Sequence, residues 1–378
     1  MNASFRDIPG AVLISTLFLL LSLFAAPVAD LAWRELGNVW TAMGALAGVL
    51  ALAGVRWPGA HMTRLVQLVL LCTALNAVLG MVHVDPIRGS AQLGFWLLVT
   101  SLGFAVWHVM QRFTTGAPRN TLVLALYRIL IPGIFGVWFL AVWELVTVGF
   151  GVPRVLLPPP SLVGDAITES LSILAADFKQ TVVRAVIPGF VIGNLAGFAA
   201  ALAADRWAFL GRGLLPVGNL VSAIPIIGIA PIMVMWFGFD WQSKAAVVVI
   251  MAFFPMLVNT ISGLRSGGAM ELDLMRSIGA THWQTFIRVR LPTALPFIFN
   301  ALKINSALAL IGAIVAEFFG TPIVGIGFRI STEVGRMNME MVWASIALAA
   351  VSGSVFYGLL AVVERRATFW HPSFRRLS

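Results

Sequence analysis

The chain has 378 residues, of which 59% are hydrophobic and 11% charged, and its mean hydropathy is +0.93. Soluble domains carry about 25% charged residues, so a water-soluble protein of one or two domains is excluded. Lys and Arg outnumber Asp and Glu by 25 to 16, the single cysteine excludes an internal disulfide or a cysteine metal cage, and 13 tryptophans suit interfacial anchoring.

Apolar runs of spanning length fall at 11–29, 38–55, 65–84, 93–110, 128–150, 182–204, 213–237, 244–262, 294–318 and 341–363. The expected fold is therefore an all-α polytopic membrane protein with about ten transmembrane helices. Basic residues favour alternate connections. With the N-terminus inside, sixteen lie on the inner side and eight on the outer, Lys303 being within a span. This positive-inside pattern puts both termini and the loop 263–293 in the cytoplasm. It explains the basic excess without nucleic acid. Residues 11–29 share features with a secretory signal, but cleavage would leave nine spans and strand a terminus, so an uncleaved anchor is expected.

The first four spans carry little that looks chemical. Gly44 and Gly48 form a G-x-x-x-G pair, which permits close helix packing. His61, His83 and His108 lie near span ends, as interfacial or capping histidines do. The polar segment QRFTTGAPRN, at 111–120, marks an expected boundary between modules 1–120 and 121–378. Pro158, Pro159 and Pro160 favour an extended, stiff connector. A surface helix beginning at Ser161 is expected after them, and Glu144 within WELV reads as structural.

The span at 213–237 is the irregular one. Pro216, Pro225 and Pro231, with Gly228, predict a kinked or broken helix, since proline removes an N–H and clashes with the preceding turn. Broken backbone at membrane depth is tolerated where it faces protein or lines a watery cavity. The two readings are ordinary kinked packing and a translocation path. Ser222, Pro225, Pro231, Met233, Met235 and Trp236 are the residues that such a path would use.

The longest polar run between spans is Met270–Pro296, MELDLMRSIGATHWQTFIRVRLPTALP. Leu274, Met275 and Ile278 share a helical face. Gly279 suits a left-handed stop, and Thr281 with Gln284 is a capping-box signature that restarts a helix. Trp283, Phe286 and Ile287 make a second apolar stripe, ended by Leu291-Pro292. Three uses fit a pair of short amphipathic helices there: a solvated loop, a DNA-reading helix-turn-helix, or a docking knob. The tether between two spans keeps such a helix out of a major groove.

The run resembles the signature loop of permease subunits of bacterial ABC importers, where an E-A-A triplet is followed by a glycine and then I-x-L-P. Asp273, Leu274 and Met275 occupy the triplet positions, a degenerate match. Gly279 takes the glycine, and Val289-Arg290-Leu291-Pro292 the end. The resemblance runs from about Leu126 to Arg375 and includes WELV, LLPPPSLV, SAIPIIGIAPIMVMWFG and AEFFGTPIVGIGFRI. It is nearest to the branch importing nitrate, sulfonates, taurine and thiamine-pyrimidine or flavin-like precursors. It implies a six-helix type I permease core in the bacterial inner membrane, preceded by four extra N-terminal helices. It implies that Asp273, Leu274, Met275, Gly279, Ala280, Trp283, Phe286, Leu291 and Pro292 seat in a cytoplasmic ATPase subunit. The implied partners are that ATPase, which would bind ATP and Mg itself, a periplasmic or lipid-anchored binding protein, a second permease copy, and membrane lipid. It also places an acid, here Glu317, beside the outer end of the pore. An acid within a span should face protein.

No Walker phosphate cradle, H-E-x-x-H pair or G-x-S-x-G elbow occurs, so no enzyme activity and no cofactor is expected of this chain. The alternative function is an ion-gradient-driven transporter. It needs paired ionisable residues near the bilayer midplane, and only Glu317 and Lys303 offer themselves.

Overall fold

The computed structural model describes residues 10–27, 33, 36, 38–52, 60–84, 87–115, 121–222, 224–320 and 323–370, and these are helical or in short connections. Two units form, Met1–Val163 and Gly164–Ser378.

The first unit holds α1 (Gly10–Phe24), α2 (Val39–Ala51), α3 (Ala60–Val82), α4 (Leu93–Thr115) and α5 (Thr121–Gly149), and α6 (Pro160–Glu169) begins at its end. Leu46, Val49, Val78, Met81, Phe95, Leu98 and Leu102 form its dry centre. Several polar groups of this unit are paired across its helices. Ser15 and Ser101 each donate a hydroxyl proton to the other's carbonyl at 2.8 Å. Gln67, fully buried, donates to Val49 O at 3.2 Å and accepts from Arg112 at 3.3 Å. His83 meets Glu144 at 2.9 Å. The helix expected to begin at Ser161 begins one residue earlier, because proline suits a first helical position and the Glu144 carboxylate receives both the Ser161 N–H and its hydroxyl. The side chain of His61 lies outside the described residues.

The second unit holds α7 (Leu171–Phe178), a π-helical segment Lys179–Val186, α8 (Ile187–Arg206), α9 (Ala208–Ser222), α10 (Ile226–Phe237), α11 (Trp241–Arg265), α12 (Ala269–Ser277), α13 (His282–Thr285), a second π segment Phe286–Arg290, α14 (Leu291–Phe319), α15 (Ile326–Gly335) and α16 (Met339–Ala367). Helix α11 lies between α8 and α14. Its approach to α8 rests on Gly189, Gly193 and Gly197, one turn apart. A Cβ at Gly193 would stand 2.8 Å from Val249 O, and one at Gly197 would overlap Phe253 O. At mid-length, Asn305 donates to Asn194 Oδ1 at 2.6 Å and to Ala252 O at 2.7 Å, which joins all three helices. Lys303 on α14 pairs with Glu364 on α16 at 2.7 Å.

Seven helical stretches among the described residues are long and apolar enough to cross a membrane. The other apolar helices are α1, α2 and α10, with 15, 13 and 12 residues. The expected span at 213–237 is two helices. Helix α9 stops at Ser222, and α10 restarts after Pro225, whose φ of −61° and ψ of 126° turn the chain. The two glycines of the G-x-x-x-G pair differ in their surroundings. A Cβ at Gly44 would meet nothing within 4 Å, and one at Gly48 only the Leu70 side chain at 3.0 Å.

Candidate functional site

The two short helices between α11 and α14 are built by local chemistry. Helix α12 ends where Gly279 adopts φ +67°. The Gly279 N–H reaches Arg276 O at 3.0 Å, and the Ala280 N–H reaches Met275 O at 2.9 Å. Those are the two bonds of a Schellman stop, which absorbs carbonyls that a helix end leaves unpaired. Two residues later Thr281 caps α13. Its hydroxyl receives the Gln284 N–H at 3.3 Å, while the Gln284 side chain receives the Thr281 N–H at 2.8 Å. Stop and restart fall within three residues, so the two helices form a compact knob.

The knob turns apolar side chains outward. Trp283 is 66% exposed, and Met270, Leu274, Ile278 and Ile287 are exposed as well. Trp283 stacks on Phe286 with ring centroids 5.3 Å apart. Together these side chains give the knob an exposed apolar surface. Met275 alone of the triplet is buried; Asp273 is exposed and pairs with Arg276 at 2.9 Å. Ala280, Phe286, Leu291 and Pro292 are half-buried and carry the chain back to α14.

Arg290, the last residue of the second π segment, anchors the return. Its guanidinium makes two bonds to the Asp205 carboxylate, at 2.6 and 2.8 Å, and its Nε donates to Leu264 O at 3.2 Å. The ends of α8, α11 and α14 are thereby tied to one side chain. The sequence places Arg290 within the signature loop but gives no sign of Asp205, 85 residues away.

The residues named for a path sit along α9 and α10. Met235 and Trp236 are exposed at 83% and 72%, Pro225 is exposed, Pro231 is half-buried, and Met233 is buried. Ser222 ends α9, and its side chain lies outside the described residues. Behind the break is a cavity of about 140 Å³ lined by Ile224, Ile226, Ile229, Met251, Phe254 and Leu308.

Glu317 is not part of that exposed face. It is 2% exposed at the end of α14 and closes a buried polar cluster. Its carboxylate receives the Thr181 hydroxyl at 2.8 Å and the Gly327 N–H at 2.7 Å. The Thr181 oxygen receives the Ile326 N–H at 2.8 Å, and Asp177 receives the Gly325 N–H at 2.7 Å and Arg329 Nε at 2.9 Å. Three consecutive amides at the start of α15 thus enter three side chains from α7, the π segment and α14. Carboxylates at a helix N-terminus complete its unpaired donors and oppose its positive end. Sequence reasoning finds Glu317 but not Asp177 or Thr181, because α15 joins them only in three dimensions. Among the described residues no group of three His, Cys, Asp or Glu could hold a metal.

Seven helices able to cross a membrane, one broken apolar segment and a pair of short helices with exposed apolar side chains define a polytopic membrane protein. Residues 162–369, more than half of the chain, match the family of binding-protein-dependent transport system inner membrane components, and the chain belongs to that family. Its relatives include the riboflavin transport system permease protein RibX of Chloroflexus aurantiacus, 31% identical over 62% of this chain and 87% of that protein. The formylaminopyrimidine transport permease protein ThiX of Halalkalibacterium halodurans is 30% identical over 65% of this chain and 97% of that one. The taurine transport system permease protein TauC of Escherichia coli is 25% identical over 61% and 85%. The chain is accordingly an ABC importer permease, a multi-pass protein of the inner membrane.

Proposed function

We propose that this permease takes a small organic or anionic nutrient, of the sulfonate, nitrate, pyrimidine or flavin-like kind, from a periplasmic or lipid-anchored binding protein. The observation that carries the coupling half of this reading is the knob. Its exposed Leu274, Ile278, Trp283 and Ile287 are stood clear of the bundle by the Gly279 stop and the Thr281 cap. Such a surface suits the groove of a cytoplasmic ATPase subunit, which would bind ATP and Mg itself. Closure of the ATPase pair would move the knob, and the helices tied to it would swing the path between inward-open and outward-open states.

On this reading both termini are cytoplasmic, the permease works as a pair of copies, and the broken α9–α10 segment forms part of the path wall. Residues 121–378 would be the importer core, and 1–120 an accessory module. The relatives' printed substrates support the nutrient class, and the chain's own part is to convert motion into access.

The test is co-purification. Deleting 273–287, or replacing Gly279→Asp, is expected to remove the ATPase subunit from the purified complex while leaving membrane insertion intact. A photo-crosslinker at Trp283 should capture that subunit in the unmodified chain. Undiminished co-purification after the deletion, or a crosslink to lipid alone, defeats the proposal.

A further inference from the structure

Asp205 occupies the unfavourable end of its helix. It stands in the last turn of α8, where the backbone carbonyls already make the end negative, so its charge does not stabilise its own helix. Arg290 stands where the π segment runs on into α14 with helical backbone on both sides. The pair is mostly buried, with side-chain exposures of 17% for Arg290 and 12% for Asp205, so each also gives up hydration. What it provides is a two-pronged, geometrically specific join between elements 85 residues apart. The third donor, Nε, adds the Leu264 carbonyl at the end of α11. The join leaves from a π segment, a distortion found disproportionately at functional sites.

From this we propose that Asp205 is a positioning residue for coupling: through Arg290 it holds the α12–α13 knob and the end of α8 as one body, so that a push on the knob is delivered to α8 as well as to α14. The proposal rests on the knob being the ATPase contact. It adds that the contact alone is insufficient. Without the pair, the knob would move and α8 would stay behind.

Spin labels at Ser277→Cys on the knob and Trp207→Cys beside Asp205 test this. Both positions are exposed, and Cys72→Ser removes the chain's own cysteine. The full chain is taken with its ATPase subunit in lipid nanodiscs, with and without ATP and vanadate. The unmodified pair is expected to keep one narrow distance in both states. Asp205→Asn is expected to retain the ATPase subunit and match the unmodified distance without nucleotide. With ATP and vanadate it should part by more than about 5 Å, one helical turn. Arg290→Lys, which keeps the charge but loses the fork, should part in the same way. Asp205→Arg combined with Arg290→Asp should restore the constant distance.

A constant distance in Asp205→Asn overturns the proposal. So does a distance already displaced without nucleotide, or loss of the ATPase subunit, since the pair would then merely shape the fold or the docking surface. If the unmodified chain brings down no ATPase subunit, the importer reading fails first, and that result is separate from these.

Discussion

The Glu317 carboxylate receives the Gly327 amide at 2.7 Å, so the last turn of α14 caps the first turn of α15. Thr181 stands between them in the same cluster, donating to Glu317 and accepting from Ile326. The family's expected outer-end acid is therefore engaged in holding a helix, and α15 is fixed by groups from three separate elements.

Thr181→Val keeps the shape of the side chain but leaves the Ile326 N–H buried without an acceptor. Such an orphan costs about 1–3 kcal/mol, a factor of roughly 5 to 150 in an opening equilibrium. Amide hydrogen exchange at residues 325–329 should accelerate by that factor, with exchange in α12 unchanged. Equal protection in both proteins would mean that the cluster does not hold α15.

Gly279 separates backbone strain from steric crowding, because a Cβ there would meet nothing within 4 Å while φ is +67°. Gly279→Ala should therefore weaken the knob through conformation alone, by about 1 kcal/mol. Gly279→Asn should be milder, since asparagine visits the left-handed region more readily. ATPase-subunit affinity measured on nanodisc-bound protein should fall in the order Gly, Asn, Ala. Parity of alanine with glycine would show that the stop does not need this φ.

Trp283 is the largest exposed side chain on the knob and stacks on Phe286. Central aromatics of an interface commonly contribute 2 kcal/mol or more. Trp283→Ala should weaken ATPase binding about thirtyfold, whereas Met270→Ala, on the first turn of α12, should change it little. Equal effects would remove Trp283 from the centre of the contact.

Gly197→Ala adds one methyl where Phe253 O already stands. Overpacking of this kind costs typically 1–3 kcal/mol, and here it opposes the α8–α11 seam. The melting temperature in detergent should drop, while Gly44→Ala on α2 should be neutral. A neutral Gly197→Ala would show that the seam has room to yield.

What the sequence makes legible is chemistry that acts within a few residues or along one helix. The Gly279 stop, the Thr281–Gln284 cap and the proline-induced break after Ser222 are all of that kind, and each can be read from spacing. The apolar runs give the all-helical membrane architecture for the same reason. Span lengths are harder: α1 ends at Phe24, shortly before Pro27, and α10 at Phe237, where Gly238 takes φ +83°. Contacts made across the fold leave no local trace. Asp205 and Arg290 are 85 residues apart, Thr181 and Glu317 are 136 apart, and Asp177 and Gly325 are 148 apart. Small residues at four-residue spacing occur both at Gly44–Gly48 and at Gly189–Gly193–Gly197. Only the latter stripe meets a backbone, and which stripe does so depends on the neighbouring helix.

The interruption at 223–225 also sets an order of events during synthesis. At about 1.5 Å per residue, α9, with 15 residues, and α10, with 12, each fall well short of the roughly 30 Å of hydrocarbon that a lone helix must cross. The amides and carbonyls that a helix end leaves over have no stable place in lipid until protein covers them. Helices α11 and α14, which wall the cavity behind the break, emerge later from the ribosome. The segment must therefore wait at the insertion machinery, or at the bilayer edge, for its downstream neighbours. Truncation before residue 291 should leave it unassembled, whatever its own hydropathy.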